Sequence, residues 1–367
     1  MNRVINRPRL LFVTRSRYWH AGNGEAARTR TLIEALAAAC ELTVFFPDPA
    51  DAAARAVVDA SPHRYRLAVG NTERPARDGV LAAMAGLCRQ LQPDVVLLSR
   101  LQLDFLRRAV PAGVRLVMDT HDLVSDNAAS RQREGVAVQE VLDFGQETAF
   151  LEHYDRVLLI QPDDHRRVAA VLGERALCVP HPVVLPAQPV RPGSRVIGYA
   201  ASQWIANRHG FQWFLDHVWP QLASSGVRLD VAGHIAELLP QPLPAGWRVR
   251  GFVPQLDHLW TGMDVAINPV RWGSGLKIKS VEALAAGLPL VTTREGARGL
   301  EALAGECFMM ADEGPGFADA CLQLLDDYAL RARFARQARL WALDTLSVDA
   351  CFGPLIEWLG GRLAERA

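Results

Sequence analysis

Residues 273–293 carry the side chains best suited to chemistry on a charged ligand. They read Gly273-Ser274-Gly275-Leu276-Lys277-Ile278-Lys279-Ser280-Val281-Glu282, then an Ala/Leu run, then Gly287-Leu288-Pro289 ahead of the apolar Leu290-Val291-Thr292-Thr293. The small turn leads into a helix, and Gly287 and Pro289 stop that helix before a strand. The first N–H groups of a helix have no partner inside it and the macrodipole is positive there, so an anion is stabilised at that end. Glycines let the backbone approach such an anion closely. Lys277 is the cation expected on a diphosphate, with Gly273, Ser274, Gly275 and Leu276 as its cradle. One turn further on, the Glu282 carboxylate can accept both hydroxyls of a vicinal diol, as a ribose presents them. Together these residues point to a nucleoside diphosphate at a helix N-terminus, with Glu282 on its sugar.

Two further segments hold candidate groups. Asp119-Thr120-His121-Asp122 closes an apolar strand, and a histidine at the carboxyl end of a strand sits where ligands of α/β sheets bind. Gly22-Asn23-Gly24-Glu25-Ala26-Ala27 fits G-x-G-x-x-A literally. A dinucleotide turn needs its glycine directly after the strand, however, and here the strand ends near Thr14, eight residues earlier. Arg15 and Arg17 flank this loop and could meet an acidic acceptor. No H-E-x-x-H, G-x-S-x-G, P-loop or Cys/His cluster occurs, so zinc hydrolysis, serine hydrolysis and ATP chemistry lack their parts. No D-x-D pair stands where it would hold a metal-bound diphosphate. Asp163-Asp164 follows the strand Arg156–Ile160 and is expected to cap a helix.

The elements that must position these groups alternate regularly. Apolar runs at Arg9–Thr14, Leu42–Pro47, Asp94–Ser99, Arg115–Asp119 and Arg156–Ile160 are separated by helical patterns such as Glu25–Ala39 and Val80–Leu91, the rhythm of a parallel sheet with crossover helices. Five prolines between Pro180 and Pro192 (Pro180, Pro182, Pro186, Pro189, Pro192) break the rhythm and form a hinge. It restarts with Val196–Ala200, Arg228–Ala232, Trp247–Phe252, Asp264–Pro269 and Leu288–Thr292. The fold class is therefore α/β, with a Rossmann-like domain over residues 1–185, a second over 193–345, and a ligand cleft between them at the carboxyl ends of the strands.

The segment from Gly273 to Thr293 resembles the donor site of the retaining glycosyltransferases of family 4. The resemblance implies the GT-B architecture, two Rossmann-like domains with parallel sheets facing each other across a cleft, and a nucleotide sugar as donor. The family's usual signature has two glutamates eight positions apart. Glu282 matches the second, and the first falls on Ser274, so the carboxylate that often touches the donor sugar is absent. Gly198-Tyr199-Ala200-Ala201-Ser202 with Asn207 is similar to the family's first strand and helix of the nucleotide half. An Arg or Lys pair is frequent there, and this chain offers Arg208 and His209, with Arg208 ranked behind Lys277 for the diphosphate. Gly251-Phe252-Val253 matches the segment that packs along the base, implying Phe252 and Val253 as base contacts. His121 matches a histidine facing the donor sugar, and Gly22 and Gly24 match the loop that admits the acceptor. By the same resemblance a C-terminal helix within 346–367, near Asp349–Leu363, crosses back onto the first domain.

Composition agrees with this class. The 367 residues suffice for two domains, half are hydrophobic, and 40 basic residues balance 40 acidic ones, so no global field favours nucleic acid. Six scattered cysteines without a C-x-x-C pair read as thiols of a reducing compartment. No run reaches the roughly 20 apolar residues that span a bilayer. The expectation is a cytoplasmic transferase with at most peripheral membrane contact, which moves a sugar from a UDP- or GDP-type donor to a hydroxyl acceptor (a glycan, a lipid-linked glycan or a small molecule) with retention. No metal and no further cofactor are expected. Two alternatives stand beside it: a catalytically inactive GT-B interaction protein, suggested by Ser274, and a nicotinamide-dependent oxidoreductase using Gly22–Ala27 with Asp48 on the ribose.

Overall fold

The computed structural model describes residues 7–22, 24–71, 76–138, 141–190, 194–239, 242–253 and 256–361. Asn23 of the glycine loop, Pro192 of the hinge, and the outermost residues of the expected domains (1–6, 193 and 362–367) lie outside the described residues.

Among the described residues, thirteen strands fall into two all-parallel sheets. The first contains β1 (Arg9–Val13), β2 (Glu41–Phe46), β3 (Arg66–Val69), β4 (Val95–Ser99), β5 (Arg115–Asp119), β6 (Arg156–Leu159) and β7 (Ala176–Cys178), in the order β3-β2-β1-β4-β5-β6-β7. The second contains β8 (Val196–Ala200), β9 (Arg228–Ala232), β10 (Trp247–Gly251), β11 (Val265–Asn268), β12 (Leu290–Thr292) and β13 (Phe308–Met310), in the order β10-β9-β8-β11-β12-β13. Both orders reverse next to their first strand, β1 with β4 and β8 with β11, and such switch points open a crevice at the strand carboxyl ends.

Strand alternation divides each sheet between two cores. In the first, Leu10, Phe12, Val44 and Leu97 face one layer of helices, while Leu11, Val13, Val96 and Leu98 face the other. In the second, Val196, Ala266 and Leu290 face one layer, while Ile197, Val231, Ile267 and Val291 face the opposite one. The last helix, Val348–Gly361, contributes Cys351, Phe352, Leu355 and Leu359 to the core of the first domain. Its Trp358 ring lies under the guanidinium groups of Arg115 and Arg156 at 4.7 and 5.1 Å. The proline segment leans on the second domain: Val183 and Leu185 join its core, and Val183 N–H donates to the Leu346 carbonyl at 3.0 Å.

The six cysteines are free thiols and five are buried. Among the described residues no helix is long and apolar enough to cross a membrane.

Candidate functional site

A cleft of about 1520 Å³ separates the two sheets. Its second-domain wall is built around the helix Ile278–Ala285, whose N-cap residue is Lys277. Ser280 anchors this helix, receiving a bond from Asn268 Nδ2 at 2.8 Å and donating to the Gly296 carbonyl at 2.8 Å. The helix start is therefore held rigidly at the end of β11. Gly273 and Gly275 take φ values of +140° and +64°, which favour glycine, so the turn before the helix depends on their missing Cβ atoms.

Of the residues expected at the diphosphate, Ser274, Gly275, Leu276 and Lys277 line the cleft. Gly273 does not: its N–H donates to Ser130 Oγ across the domain boundary at 2.9 Å. Lys277 is buried, and its ammonium donates to the Ser274 and Gly275 carbonyls at 3.1 and 3.2 Å and pairs with Glu295 at 2.8 Å. Burial lowers its pKa, with Glu295 opposing. Lys277 thus braces the turn. Lys279 lines the cleft as well, and among the described residues its ammonium has one hydrogen-bond acceptor, Asn207 Oδ1. Burial and the neighbouring Lys277 lower its pKa to about 7. Arg208 stands exposed and off the lining; the preceding Asn207 takes the cleft side of the helix Ile205–His217.

Glu282 is 9% exposed, lines the cleft and has no hydrogen-bond partner among the described residues. Burial raises its pKa to about 7, with Lys279 opposing. A buried carboxylate without donors is costly unless a ligand supplies them. Phe252 keeps 42% of its surface exposed in the cleft and stacks on His234 at 4.9 Å, while Val253 is half-buried beside it. A flat apolar shelf of this kind suits a nucleobase.

The facing wall belongs to the first domain. His121 follows β5, adopts φ +60° and is buried. Its Nε2 lies 3.0 Å from Ser99 Oγ and 3.3 Å from Asp119 Oδ2. Ser99, His121 and Asp119 look like a nucleophile triad by composition, but serine and carboxylate meet the same ring nitrogen, so no proton relay runs through the ring. Burial lowers the His121 pKa, and the ring is neutral at pH 7. Arg28 Nη2 holds Asp119 at 2.9 Å with both side chains fully buried. Burial opposes ionisation of Asp119, yet the combined pull of Arg28 and His121 keeps its carboxyl below the usual range.

Gly22 and Gly24 line the cleft, and the loop presses on the second domain. A Cβ on Gly22 would come within 3.2 Å of His234, and one on Gly24 within 2.7 Å of Ile278. Asp48 is engaged by Arg15 at 3.4 Å, and Arg17 approaches Asp51 at 3.9 Å, so the two arginines and the ribose acid of an oxidoreductase are tied to the first domain's surface. Gln161, not Asp163-Asp164, caps the helix Pro162–Leu172, accepting from Asp163 N–H; both aspartates sit in its first turn. Among the described residues no group of three His, Cys, Asp or Glu side chains could hold a metal.

The domains touch directly beside the site. Ser274 Oγ donates to Asp122 Oδ2 and accepts from Asn127 Nδ2 at 3.0 Å, Arg271 pairs with Glu134 at 3.2 Å, and Arg298 pairs with Asp126. These first-domain partners ride on the helix Val124–Arg133 and its flanks. Its first N–H groups, of Val124 and Ser125, are capped by buried Glu147 at 2.8 and 2.9 Å.

Two family models divide the chain along the same boundary: a glycosyl transferase 4-like domain matches residues 23–184, and glycosyl transferases group 1 matches residues 194–327. Together with the paired parallel sheets, these matches make the chain a GT-B glycosyltransferase. Solved structures share the fold over nearly all of its length. Sucrose-phosphate synthase from Thermosynechococcus elongatus superposes with a TM-score of 0.74 at 16% identity, over 98% of this chain and 99% of that one. HepE of Anabaena, solved with UDP-glucose, gives 0.71 at 14% identity, over 98% and 100% of the two chains. TarM of S. aureus, also solved with UDP and α-GlcNAc-glycerol, gives 0.74 at 9% identity, over 96% and 99%. No curated protein is significantly similar in sequence.

Proposed function

We propose that the chain transfers a hexosyl group from a UDP- or GDP-sugar to a hydroxyl acceptor with retention at the anomeric carbon, and without a metal. The observation that carries this is the juxtaposition, in one cleft, of a helix N-terminus with Lys279, a buried Glu282 that has no hydrogen-bond partner among the described residues, and His121 on the facing wall. Lys279 and the helix start neutralise the departing diphosphate, supported by Lys277 at one remove. Glu282 accepts the ribose hydroxyls, Phe252 and Val253 carry the base, and the neutral His121 ring meets the donor sugar. HepE was solved with UDP-glucose and TarM with UDP, which favours a uridine donor in a fold of this kind.

Retention follows most simply by front-face transfer. The bond from the anomeric carbon to the phosphate oxygen breaks, the acceptor oxygen bonds on the same face, and the acceptor's proton passes to the departing phosphate oxygen. A closed cleft excludes the water that would otherwise hydrolyse the donor. The acceptor enters beside Gly22 and Gly24, and a glycan or lipid-linked glycan is the acceptor we favour. The deciding experiment incubates the protein with UDP- and GDP-hexoses and measures release of the nucleoside diphosphate with and without glycan acceptors, alongside calorimetry of UDP and GDP. Tight nucleotide binding with no turnover on any donor would instead favour an inactive interaction protein.

A further inference from the structure

Among the described carboxylates that line the cleft, Asp122 is the one held from both domains at once. It belongs to the first domain, directly after His121, and lines the cleft. Its Oδ2 accepts from Ser274 Oγ of the second domain, and its Oδ1 lies 3.5 Å from Arg100 Nη1. The direction of the first bond is fixed by chemistry. Asn127 Nδ2 donates to Ser274 Oγ at 3.0 Å, which occupies a lone pair of the hydroxyl and leaves its hydrogen for Asp122. Arg100 is itself steadied by Glu25 at 3.0 Å. Two of the roughly four acceptor sites of the Asp122 carboxylate are thereby used. The other two are available to hydroxyls in the cleft, and 23% of the side chain is still open to it.

The surroundings are shaped to keep the carboxylate there. A Cβ on Gly275 would stand 3.0 Å from Asp122 Cβ and 3.1 Å from the His121 carbonyl, so only glycine lets the second-domain turn approach this closely. A longer acidic side chain at 274 would point a second carboxylate at Asp122, where serine donates a hydrogen bond. Serine at 274 and aspartate at 122 therefore form a matched pair, with one negative charge shared between the domains.

We propose that Asp122 is a specificity-determining residue of this transferase: its carboxylate, aimed by Ser274 and charge-balanced by Arg100, accepts hydrogen bonds from the hydroxyls of the transferred hexosyl group. This rests on the assignment of the cleft to a nucleotide sugar. Contact with the sugar, and not with the nucleotide, is what distinguishes Asp122 from Lys279 and Glu282. A mere latch between the domains would act through the Ser274 bond and be indifferent to the identity of the sugar.

The test combines binding and turnover across Asp122→Asn, Asp122→Ser, Ser274→Ala and the double variant Asp122→Ser with Ser274→Glu, using UDP, GDP and their glucose, galactose, mannose and N-acetylglucosamine conjugates. Asp122→Asn keeps the shape and an acceptor for Ser274, so it separates charge from folding. Both Asp122 variants should bind the nucleoside diphosphate within about twofold of the wild type while losing about 10- to 100-fold in turnover, the span expected for charge-assisted hydrogen bonds. Discrimination among the sugars should narrow. Ser274→Ala, which cuts the inter-domain bond but spares the carboxylate, should cost less than either. The double variant, which returns a carboxylate from the other wall, should recover part of the loss. Unchanged turnover and selectivity in both Asp122 variants would overturn the proposal, as would equal losses in Ser274→Ala and Asp122→Ser. If wild-type protein binds neither diphosphate, the assignment of the cleft itself falls, and this inference with it.

Discussion

His121 meets Asp119 through one ring nitrogen only: Nε2 lies 3.3 Å from Asp119 Oδ2, a buried oxygen that accepts no hydrogen bond among the described residues, and 3.0 Å from Ser99 Oγ. A neutral imidazole carries one proton, and the charge of a buried carboxylate 3.3 Å away favours the tautomer protonated on Nε2. Nδ1 then keeps its lone pair, and because His121 lines the cleft, a sugar hydroxyl that reaches the ring finds an acceptor there. Arg28 completes the line by holding the other oxygen of Asp119.

Replacing His121 should therefore impair chemistry more than nucleotide binding. His121 sits at φ +60°, where asparagine is tolerated better than alanine, so His121→Asn is the informative variant. Turnover should fall about 10- to 100-fold, the worth of one well-placed hydrogen bond to the reacting sugar. The affinity for UDP or GDP should stay within about a factor of two. Asp119→Asn, which cannot select the tautomer in the same way, should lower turnover as well and shift its acid limb. An intact turnover number in His121→Asn would remove the histidine from the donor sugar.

The two lysines should separate. Lys279→Ala is expected to weaken nucleoside diphosphate binding by about 1.5–3 kcal/mol, the range of a charged hydrogen bond, and to leave nucleoside binding nearly unchanged. Lys277→Ala leaves Glu295 with only Arg298 among the described residues, at 3.6 Å, and strips two carbonyls of their donor, so its first effect should be on stability, read as a lower midpoint of thermal unfolding. Calorimetry and melting curves of both variants settle the ranking. Equal affinity losses with unchanged melting would return Lys277 to the diphosphate.

Glu282 and Lys279 give a pH signature of opposite signs. The folded-state pKa of Glu282 is raised to about 7, so from its unfolded value near 4.5 up to 7 the folded form holds the extra proton and stability declines with rising pH. The folded-state pKa of Lys279 is lowered to about 7, so from 7 toward 10.5 the unfolded form holds the extra proton and stability recovers as pH rises. The pair alone predicts a shallow minimum near neutral pH in the ligand-free protein. Glu282→Gln should flatten the acid side and Lys279→Met the alkaline side, measured by denaturant unfolding from pH 5 to 9. Glu282→Gln should also weaken a ribonucleotide more than its 2′-deoxy counterpart. A variant whose affinity ratio is unchanged would separate Glu282 from the ribose.

Much of the framework was legible because buried parallel strands are short apolar runs. The strands at Arg115–Asp119, Val196–Ala200 and Arg228–Ala232 lie where their periodicity predicts, and other ends differ by a residue or two. The strands missed were β3, β7 and β13. They have only three or four residues, lie toward or at the sheet edges, and are partly exposed, so no apolar run marks them. At the candidate site, the type and spacing of Ser274, Gly275 and Glu282 put them on one wall of a cleft, which is where they lie. The choice between Lys277 and Lys279 was not legible, because it depends on Glu295, a residue eighteen positions downstream that claims one of them. Arg208 and Asn207 are adjacent in sequence, and only the phase of the helix Ile205–His217 decides which faces the cleft. Asp122 carried no sequence signal, since its partner Ser274 comes from the other domain.

Gly24 offers a steric test of cleft closure. It begins the first-domain helix Gly24–Ala39, and a Cβ there would lie 2.7 Å from Ile278 Cγ1 and 3.1 Å from Ile278 Cβ, on the helix that is expected to hold the diphosphate. The shorter of these separations is not sustained by real atoms, so a larger residue must displace Ile278 or hold the domains apart. Because inter-domain contacts in two-domain chains are usually modest, parting the domains is the softer response. Gly24→Val should therefore fold and bind UDP or GDP at the second domain with about wild-type affinity, yet turn over slowly, because His121 and the Asp122 carboxylate no longer reach the sugar. In small-angle scattering the wild type should contract when the nucleoside diphosphate is added and Gly24→Val should not. Trimming the opposing side chain gives the control: Ile278→Ala placed in the Gly24→Val background should restore both contraction and turnover. If Gly24→Val contracts and turns over like the wild type, the glycine loop does not govern closure, and the acceptor must enter elsewhere along the cleft.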